Sequence, residues 1–189
     1  MKKLSASNLV SFINQLDKTK VYNYINPKTK GLIKIEGVDL PEGPIRIKRW
    51  DPSKRQIESL QKIESISSEM IWRVANAFNE NQPINMDRIL GASYNTRSVL
   101  ETLLAHTPQF YFCYPGRIEN KGGLTKIKHG HKHLIWIPEN PHSPGILQKI
   151  NTDIVISEMP TIDAFYDSLV LPDSFKKQEL DIDCIFRGC

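Results

Sequence analysis

The segment from Ser65 to Trp136 constrains the fold most, because the spacing of its apolar residues changes along the chain in a fixed order. Three stretches with helical spacing come first. Two apolar stretches of strand length follow, separated by a basic stretch that contains glycine. The order helix, helix, helix, strand, loop, strand predicts a small cluster of helices packed beside a β-hairpin.

The first two helices of this segment have clear limits. One is predicted from Ser67 or Ser68 to Phe78, with Ser68 as its N-cap. The other is predicted from Met86 to Leu90 and ends in a tight turn that begins at Gly91. The apolar face of the first helix, at spacings i, i+3, i+4 and i+7, consists of Ile71, Val74, Ala75 and Phe78.

A third helix is predicted over residues 95–106, with Asn95 as its N-cap and Pro108 after its end. Its apolar spacing divides it into two faces. The predicted inner face holds Val99, Leu100, Leu103 and Leu104, and the predicted exposed face holds Thr96, Arg97, Glu101 and Thr102.

Two strands, at Phe110–Tyr114 and Lys132–Ile137, enclose a glycine-rich loop from Glu119 to His131. Loop length, basic composition and flanking strands suit a hairpin that projects toward a phosphate backbone. The lysines of the loop are Lys121, Lys126 and Lys128.

This segment resembles the winged helix-turn-helix superfamily in Ser68–Phe78, Met86–Leu90, Asn95–His106 and the hairpin Phe110–Ile137. Because a β-rich part precedes it, the chain also looks like the DNA-recognition region of some restriction enzymes. The resemblance implies sequence-specific binding of double-stranded DNA, with helix 95–106 in the major groove and the basic wing 119–132 on the DNA backbone.

Residues at the start of a recognition helix reach base edges, whereas basic residues of a wing reach phosphates. The predicted base-contacting residues are Tyr94, Asn95, Thr96, Arg97 and Ser98. The predicted backbone-contacting residues are Lys121, Lys126, Lys128, His129 and His131.

The N-terminal part is predicted to hold one helix and a small β-rich region. The helix covers Ser5–Leu16, with Ser5 or Ser7 as N-cap, and a hairpin follows with strands at Val21–Tyr24 and Leu32–Ile35. The stretch Ile45–Trp50 alternates apolar and basic residues, as a half-buried strand does. Its basic residues Arg46, Lys48 and Arg49 form a second predicted DNA contact.

The whole chain is therefore predicted to be α+β, with three parts. Residues 1–52 form the N-terminal helix and hairpin part, residues 53–142 the winged helix-turn-helix, and residues 143–189 a C-terminal strand and helix extension. A connecting helix is predicted from Asp51 to Glu64, a strand around 154–156 and a short helix from Pro160 to Leu169.

Composition limits the class of protein. The chain has 189 residues and a net charge of +4, which only slightly favours an anionic partner. It has no apolar run of membrane-spanning length and no signal peptide, so we expect a cytoplasmic protein without membrane contact. Its odd number of cysteines, Cys113, Cys184 and Cys189, indicates reduced thiols.

Three alternatives stay open. Glu119-Asn120-Lys121 matches part of a Mg²⁺-dependent nuclease pattern, and a winged helix can also bind protein. Alternate histidines, His129, His131 and His133 together with His142, suggest a metal site, although no carboxylate or thiol is close in sequence. The preferred prediction has no catalytic residue, no metal and no cofactor, and its partners are double-stranded DNA and a nuclease domain or subunit.

Overall fold

The computed structural model describes residues 2–26, 28–51, 63–91, 95–114, 116–121, 124–129, 132–150 and 155–156. Within these ranges the chain is α+β, as predicted, with four helices and three small β-sheets. For residues 116–121, 124–129 and 155–156 the description covers the backbone. Among the described helices, none has the length and apolar composition that a membrane span requires.

The first helix, α1, covers Ala6–Asn14. The Ser5 hydroxyl oxygen caps it by accepting a hydrogen bond from the backbone N–H of Asn8 at 3.2 Å. Leu9, Val10 and Ile13 are fully buried. The predicted helix and one of its two predicted caps are therefore confirmed.

Four antiparallel strands form the first sheet, in the order β1-β2-β3-β4. The predicted hairpin is confirmed, and its second strand continues past Ile35 through an irregularity between Ile35 and Gly37. One face of the sheet is apolar and buried at Tyr22, Ile33, Ile35, Ile45, Ile47 and Ile66. The strands are β1 (Val21–Asn23), β2 (Leu32–Val38), β3 (Ile45–Trp50) and β4 (Ile63–Ile66).

Ile63 and Glu64 correct one prediction, because they belong to β4 and not to a connecting helix. They pair with Lys48 and Ile47 of β3, so pairing with a neighbouring strand outweighs the local helical spacing. The remainder of the predicted connecting helix, residues 52–62, lies outside the described residues.

The second helix, α2, covers Ser68–Ala77 and is followed by a two-residue strand, β5 (Pro83–Ile84). Ser67 is its N-cap, since the Ser67 hydroxyl accepts from the backbone N–H of Met70 at 3.2 Å. Ser68, the predicted cap, is the first helical residue instead. The predicted apolar face is confirmed, with Ile71, Val74, Ala75 and Phe78 fully buried.

The third helix, α3, covers Met86–Leu90 as predicted, and Asn85 caps it. Gly91 follows with φ +63° and ψ −167°, a region that residues other than glycine rarely adopt. The chain therefore needs glycine at this point to turn from α3 toward the next helix.

The fourth helix, α4, covers Arg97–His106. Thr96, not Asn95, takes the N-cap position, and its side chain makes no capping hydrogen bond. The predicted inner face is confirmed, but Glu101 and Thr102 are buried as well, with 5% and 1% exposure. The prediction of an exposed face there was wrong, because α4 packs against other elements on several sides, including α1, α3, β1 and a following strand, β6 (Phe110–Cys113).

A second small sheet joins β5, β6 and a later strand, β9 (His133–Trp136), in the order β5-β9-β6. Between β6 and β9 the chain forms another hairpin, β7 (Gly116–Lys121) and β8 (Leu124–His129). The predicted loop from Glu119 to His131 is thus largely β-structure. Ile118 pairs with Ile127 there, residues that favour strands.

The C-terminal stretch contributes one described strand, β10 (Val155–Ile156), which pairs with β7 in parallel. This is part of the strand predicted around 154–156. The helix predicted from Pro160 to Leu169 and the rest of 157–189 lie outside the described residues.

Phe110 lies at the centre of the core that the N-terminal helix shares with the later helices. Its ring packs edge-on against the rings of Phe12 in α1 and Phe78, with 6.3 Å and 5.1 Å between the ring centroids. The backbone N–H of Leu4 also donates to the carbonyl oxygen of Phe78 at 3.3 Å. The described elements of residues 1–52 and 53–142 therefore pack together, and the limits of the three predicted parts remain predictions.

Candidate nucleic-acid interface

The start of α4 is its only accessible part among the described residues. Asn95 and Ser98 are exposed and Thr96 is partly exposed, whereas every residue from Val99 to His106 is buried. Tyr94 lies outside the described residues. A ligand that contacts α4 therefore has access to its first turn.

Arg97 connects the two short helices. Its Nε lies 2.7 Å from Asp87 Oδ1 in α3, and its Nη1 donates to the carbonyl oxygen of Gly91. Both acceptors belong to the preceding helix and its end, so the guanidinium fixes the geometry of the turn between α3 and α4. Arg97 thus has an internal structural role at a position predicted to contact bases.

Glu101, one helical turn after Arg97 in α4, forms an ion pair with Lys132, with 2.6 Å between Lys132 Nζ and Glu101 Oε2. The Glu101 side chain is 6% exposed and the Lys132 side chain 23%. Burial raises the pKa of Glu101, while the charge and hydrogen bond of Lys132 act in the opposite direction. The pair joins α4 to the residue that precedes β9.

The basic residues of β3 all have acidic partners. Arg46 pairs with Asp39 at 2.6 Å, Lys48 with Glu36 at 3.7 Å and Arg49 with Glu64 at 2.6 Å. The strand therefore carries much less unbalanced positive charge than its sequence suggests. The acids come from β2, from the loop before β3 and from β4.

Tyr24 brings the first sheet and the start of α4 together. Its hydroxyl lies close enough to the side chains of Arg49 and Ser98 to interact with both. Burial raises the pKa of Tyr24, and these two interactions act in the opposite direction. Two sites that the sequence predicts separately, on β3 and on α4, are thus adjacent through a residue that sequence reasoning missed.

An open cleft of about 530 Å³ lies at the β1–β2 turn, and we call it the turn cleft. Its walls include the aromatic residues Tyr24 and Trp50, and exposed lysines lie at its edge. The turn cleft is defined by six of the residues that line it, Tyr24, Lys28, Lys30, Arg49, Trp50 and Asp51. The sequence shows the turn and its lysines but not the aromatic walls, which depend on the pairing of β1, β2 and β3.

The wing residues are described only in their backbone positions. The β7–β8 register pairs Lys126 with Glu119, Lys128 with Arg117 and His129 with Gly116. Lys121 pairs with Leu124 beside the hairpin end, and His131 lies outside the described residues. The predicted backbone contacts of these residues remain predictions.

The metal and nuclease alternatives gain no support from the described side chains. His133 is buried opposite Cys113, and the ring nitrogens of His142 lie 2.8 Å from the carbonyl oxygens of Phe110 and Ser143. Within the described part of the chain, no three histidine, cysteine, aspartate or glutamate residues are placed to hold a metal ion. The acids considered upstream of Glu119, Asp87 and Glu101, are both in ion pairs.

Comparison with known proteins finds similarity to a restriction enzyme. The chain is 44% identical over 180 residues to the type II restriction enzyme NmeDI of Neisseria meningitidis serogroup C. The match includes 95% of this chain and 48% of that protein, so the chain spans about half the length of this curated relative. No protein-family model and no solved structure matches the chain.

Proposed function

We propose that the chain binds double-stranded DNA in a sequence-specific manner through a winged helix-turn-helix within residues 53–142. One observation carries this proposal. The elements α2, β5, α3, α4, β6 and β9 follow in this order, and the strands form a sheet in the order β5-β9-β6. A winged helix-turn-helix has this arrangement, in which a short strand after the first helix joins the hairpin that follows the third.

The proposed recognition helix is α4, with the residues before it. Asn95 and Ser98 are accessible, while every residue from Val99 to His106 is buried inside the protein. Helix-turn-helix proteins present this end of the recognition helix to the major groove. The proposed base-contacting set is Tyr94, Asn95, Thr96, Arg97 and Ser98, in which Arg97 also fixes α3 to α4.

The proposed wing is residues 119–132, which include most of the β7–β8 hairpin. A two-stranded projection rich in lysine suits contact with phosphates, which positions a protein on DNA without reading its sequence. Its proposed phosphate ligands are Lys121, Lys126, Lys128, His129 and His131. Since Arg46, Lys48 and Arg49 each have an acidic partner, we expect them to make a smaller share of the backbone contacts.

The relative supports DNA as the partner, because a restriction enzyme acts on DNA. Since the chain matches about half of that protein, we propose that it is the target-recognition module of a restriction-type nuclease in the bacterial cytoplasm. Cleavage then belongs to another domain or subunit, and binding needs no cofactor. Residues 1–52 and 143–189 are the proposed N-terminal part and C-terminal extension of the module.

The test is fluorescence anisotropy of the 189-residue chain with random DNA duplexes at two salt concentrations, followed by sequencing of the bound fraction. We expect salt-sensitive binding and enrichment of one sequence. Asn95→Ala should reduce discrimination at one base position by about 1–3 kcal/mol, the usual contribution of one good base contact. Asn76→Ala is the matched control, because Asn76 is exposed on α2 and bonds only its own helix among the described residues.

Three outcomes would overturn parts of this proposal. Absence of binding at low salt would reject DNA as the partner and favour a winged helix that binds protein. Binding without sequence enrichment would reject sequence-specific recognition. DNA cleavage by the purified chain with Mg²⁺, lost in Glu119→Gln, would favour the alternative of a small nuclease.

A further inference from the structure

We propose that the turn cleft binds the DNA backbone at two phosphate groups, next to the base pairs that α4 contacts. This inference rests on the proposed function and extends the DNA-binding surface to the β1–β2 turn. Lys28 and Lys30 are the proposed phosphate ligands. Neither residue was part of the predicted DNA-binding set.

The charges of the cleft favour an anion at its edge. Lys28 and Lys30 are exposed, and among the described residues neither forms an ion pair. Arg49 in the wall is neutralised by Glu64 at 2.6 Å, and Asp51 has an interaction of its own. Of the described residues that line the cleft, the two lysines are therefore the positive groups that remain available to a ligand. A lysine ammonium binds phosphate as a compact point charge.

The position of the cleft follows from how α4 lies against β1. At the end of α4, the His106 ring packs on Tyr22 at 5.0 Å, and its Nε2 lies 3.0 Å from the carbonyl oxygen of Asn23. At the start of α4, the Ser98 side chain lies near the hydroxyl of Tyr24, which is a wall of the cleft. The lysine turn therefore lies beside the accessible first turn of α4.

In DNA, phosphates lie next to any helix that enters the major groove. The major groove is about 12 Å wide, and phosphates border it on both sides. A helix whose first turn enters the groove brings its immediate neighbours next to those phosphates. The turn cleft is such a neighbour, because Tyr24 lines the cleft and its hydroxyl lies near Ser98 of α4.

Gly31 keeps the cleft in this shape. A Cβ atom at position 31 would lie 2.6 Å from Tyr24 Cε2, which is closer than nonbonded carbon atoms approach. The aromatic wall can therefore lie across the turn because residue 31 has no side chain. The Tyr24 ring, the turn and the lysines form one local unit.

The experiment measures how DNA affinity depends on salt concentration for the 189-residue chain and for Lys28→Ala/Lys30→Ala. Each phosphate contact contributes about 0.9 to the slope of log affinity against log salt. We expect the variant slope to be smaller by about 1.8, with equal loss of affinity for the enriched duplex and for a random duplex. The control is Lys18→Ala/Lys20→Ala, which removes the same charge at the other end of β1 and should change the slope much less.

The outcomes separate this inference from the proposed function. If the unaltered chain binds DNA and both double variants have the same slope, the cleft proposal is overturned while DNA binding stands. If the lysine-turn variant loses affinity only for the enriched duplex, the cleft reads bases, and the phosphate assignment is overturned. If the unaltered chain binds no DNA, the proposed function itself fails.

Discussion

Two regions of this protein carry their charged residues differently. Around α4 and along β3, the ionisable side chains have partners within the protein, as in the pairs of Glu101 with Lys132 and Arg49 with Glu64. At the β1–β2 turn, Lys28 and Lys30 are exposed and form no ion pair with the described residues. The first region uses charge to hold elements together, whereas the second leaves charge available to a ligand.

This difference shows that a basic residue can be interpreted as a DNA contact only after the acidic side chains near it in the fold are known. In the sequence, Ile45–Trp50 is the most conspicuous basic strand of the N-terminal part, and Lys28 and Lys30 look like ordinary turn residues. Strand pairing reverses this order, because β2 and β4 bring Glu36 and Glu64 next to β3.

The largest effect is expected from Lys132→Met. This change leaves the Glu101 carboxylate buried without its positive partner, so the free energy of unfolding should fall by about 3 kcal/mol. Urea unfolding followed by circular dichroism measures it. In the double variant Glu101→Gln/Lys132→Met much of the loss should return, because no buried charge is left unpaired.

Lys34→Met is the matched control for that measurement. Lys34 lies 3.9 Å from Glu36, and its side chain is 41% exposed, so its loss should cost less than about 1 kcal/mol. Equal costs for the two lysine changes would contradict the distinction between charges that hold the fold and charges that do not.

The protonation of His106 is expected to have a smaller effect on the free energy of unfolding. Burial lowers the pKa of His106 below its ordinary 6.5, although hydrogen bonds with the carbonyls of Asn23 and Gly145 act in the opposite direction. Below pH 6.5 the unfolded chain therefore takes up a proton that the folded chain resists. His106 therefore contributes to the free energy of unfolding above pH 6.5. This contribution is lost as the pH falls from 6.5 toward the lower pKa that His106 has in the folded protein.

The measurement is urea unfolding of the chain and of His106→Gln at several pH values between about 7.5 and 5.5, a range that spans the ordinary histidine pKa. The difference in unfolding free energy between the two proteins should shrink as the pH falls. Taking this difference cancels the contribution of Glu101, whose raised pKa acts in the opposite direction. A difference that grows toward acid pH would mean that the two carbonyls, not burial, control this histidine.

Helices and strands with strong apolar periodicity could be predicted from the sequence. Helix α2, the β1–β2 hairpin and strand β3 lie close to their predicted positions because local spacing alone specifies which face they bury. Strand β4 and the exposure of Glu101 were predicted wrongly. Both depend on neighbours distant in sequence, namely β3 in one case and Lys132 in the other.

The candidate site was predictable to a similar degree. The sequence indicates the exposed start of α4 through Asn95 and Ser98. It does not reveal that Arg97 binds Asp87, or that Tyr24 joins Ser98 to Arg49, because these contacts depend on side-chain geometry across separate elements. The turn cleft was missed for the same reason.

The smallest effect is expected from Arg46→Gln/Lys48→Gln. Both residues already have acidic partners, Asp39 and Glu36, so few phosphates should lose a contact when the two positive charges are removed. The slope of log affinity against log salt should change by well under the value of about 1.8 expected for the turn lysines, although both variants lose two positive charges. If the β3 variant has the larger slope change, the acids of β2 and of the loop before β3 do not shield these residues from DNA. The two regions would then exchange roles, with β3 as the backbone contact and the turn cleft as a solvated surface.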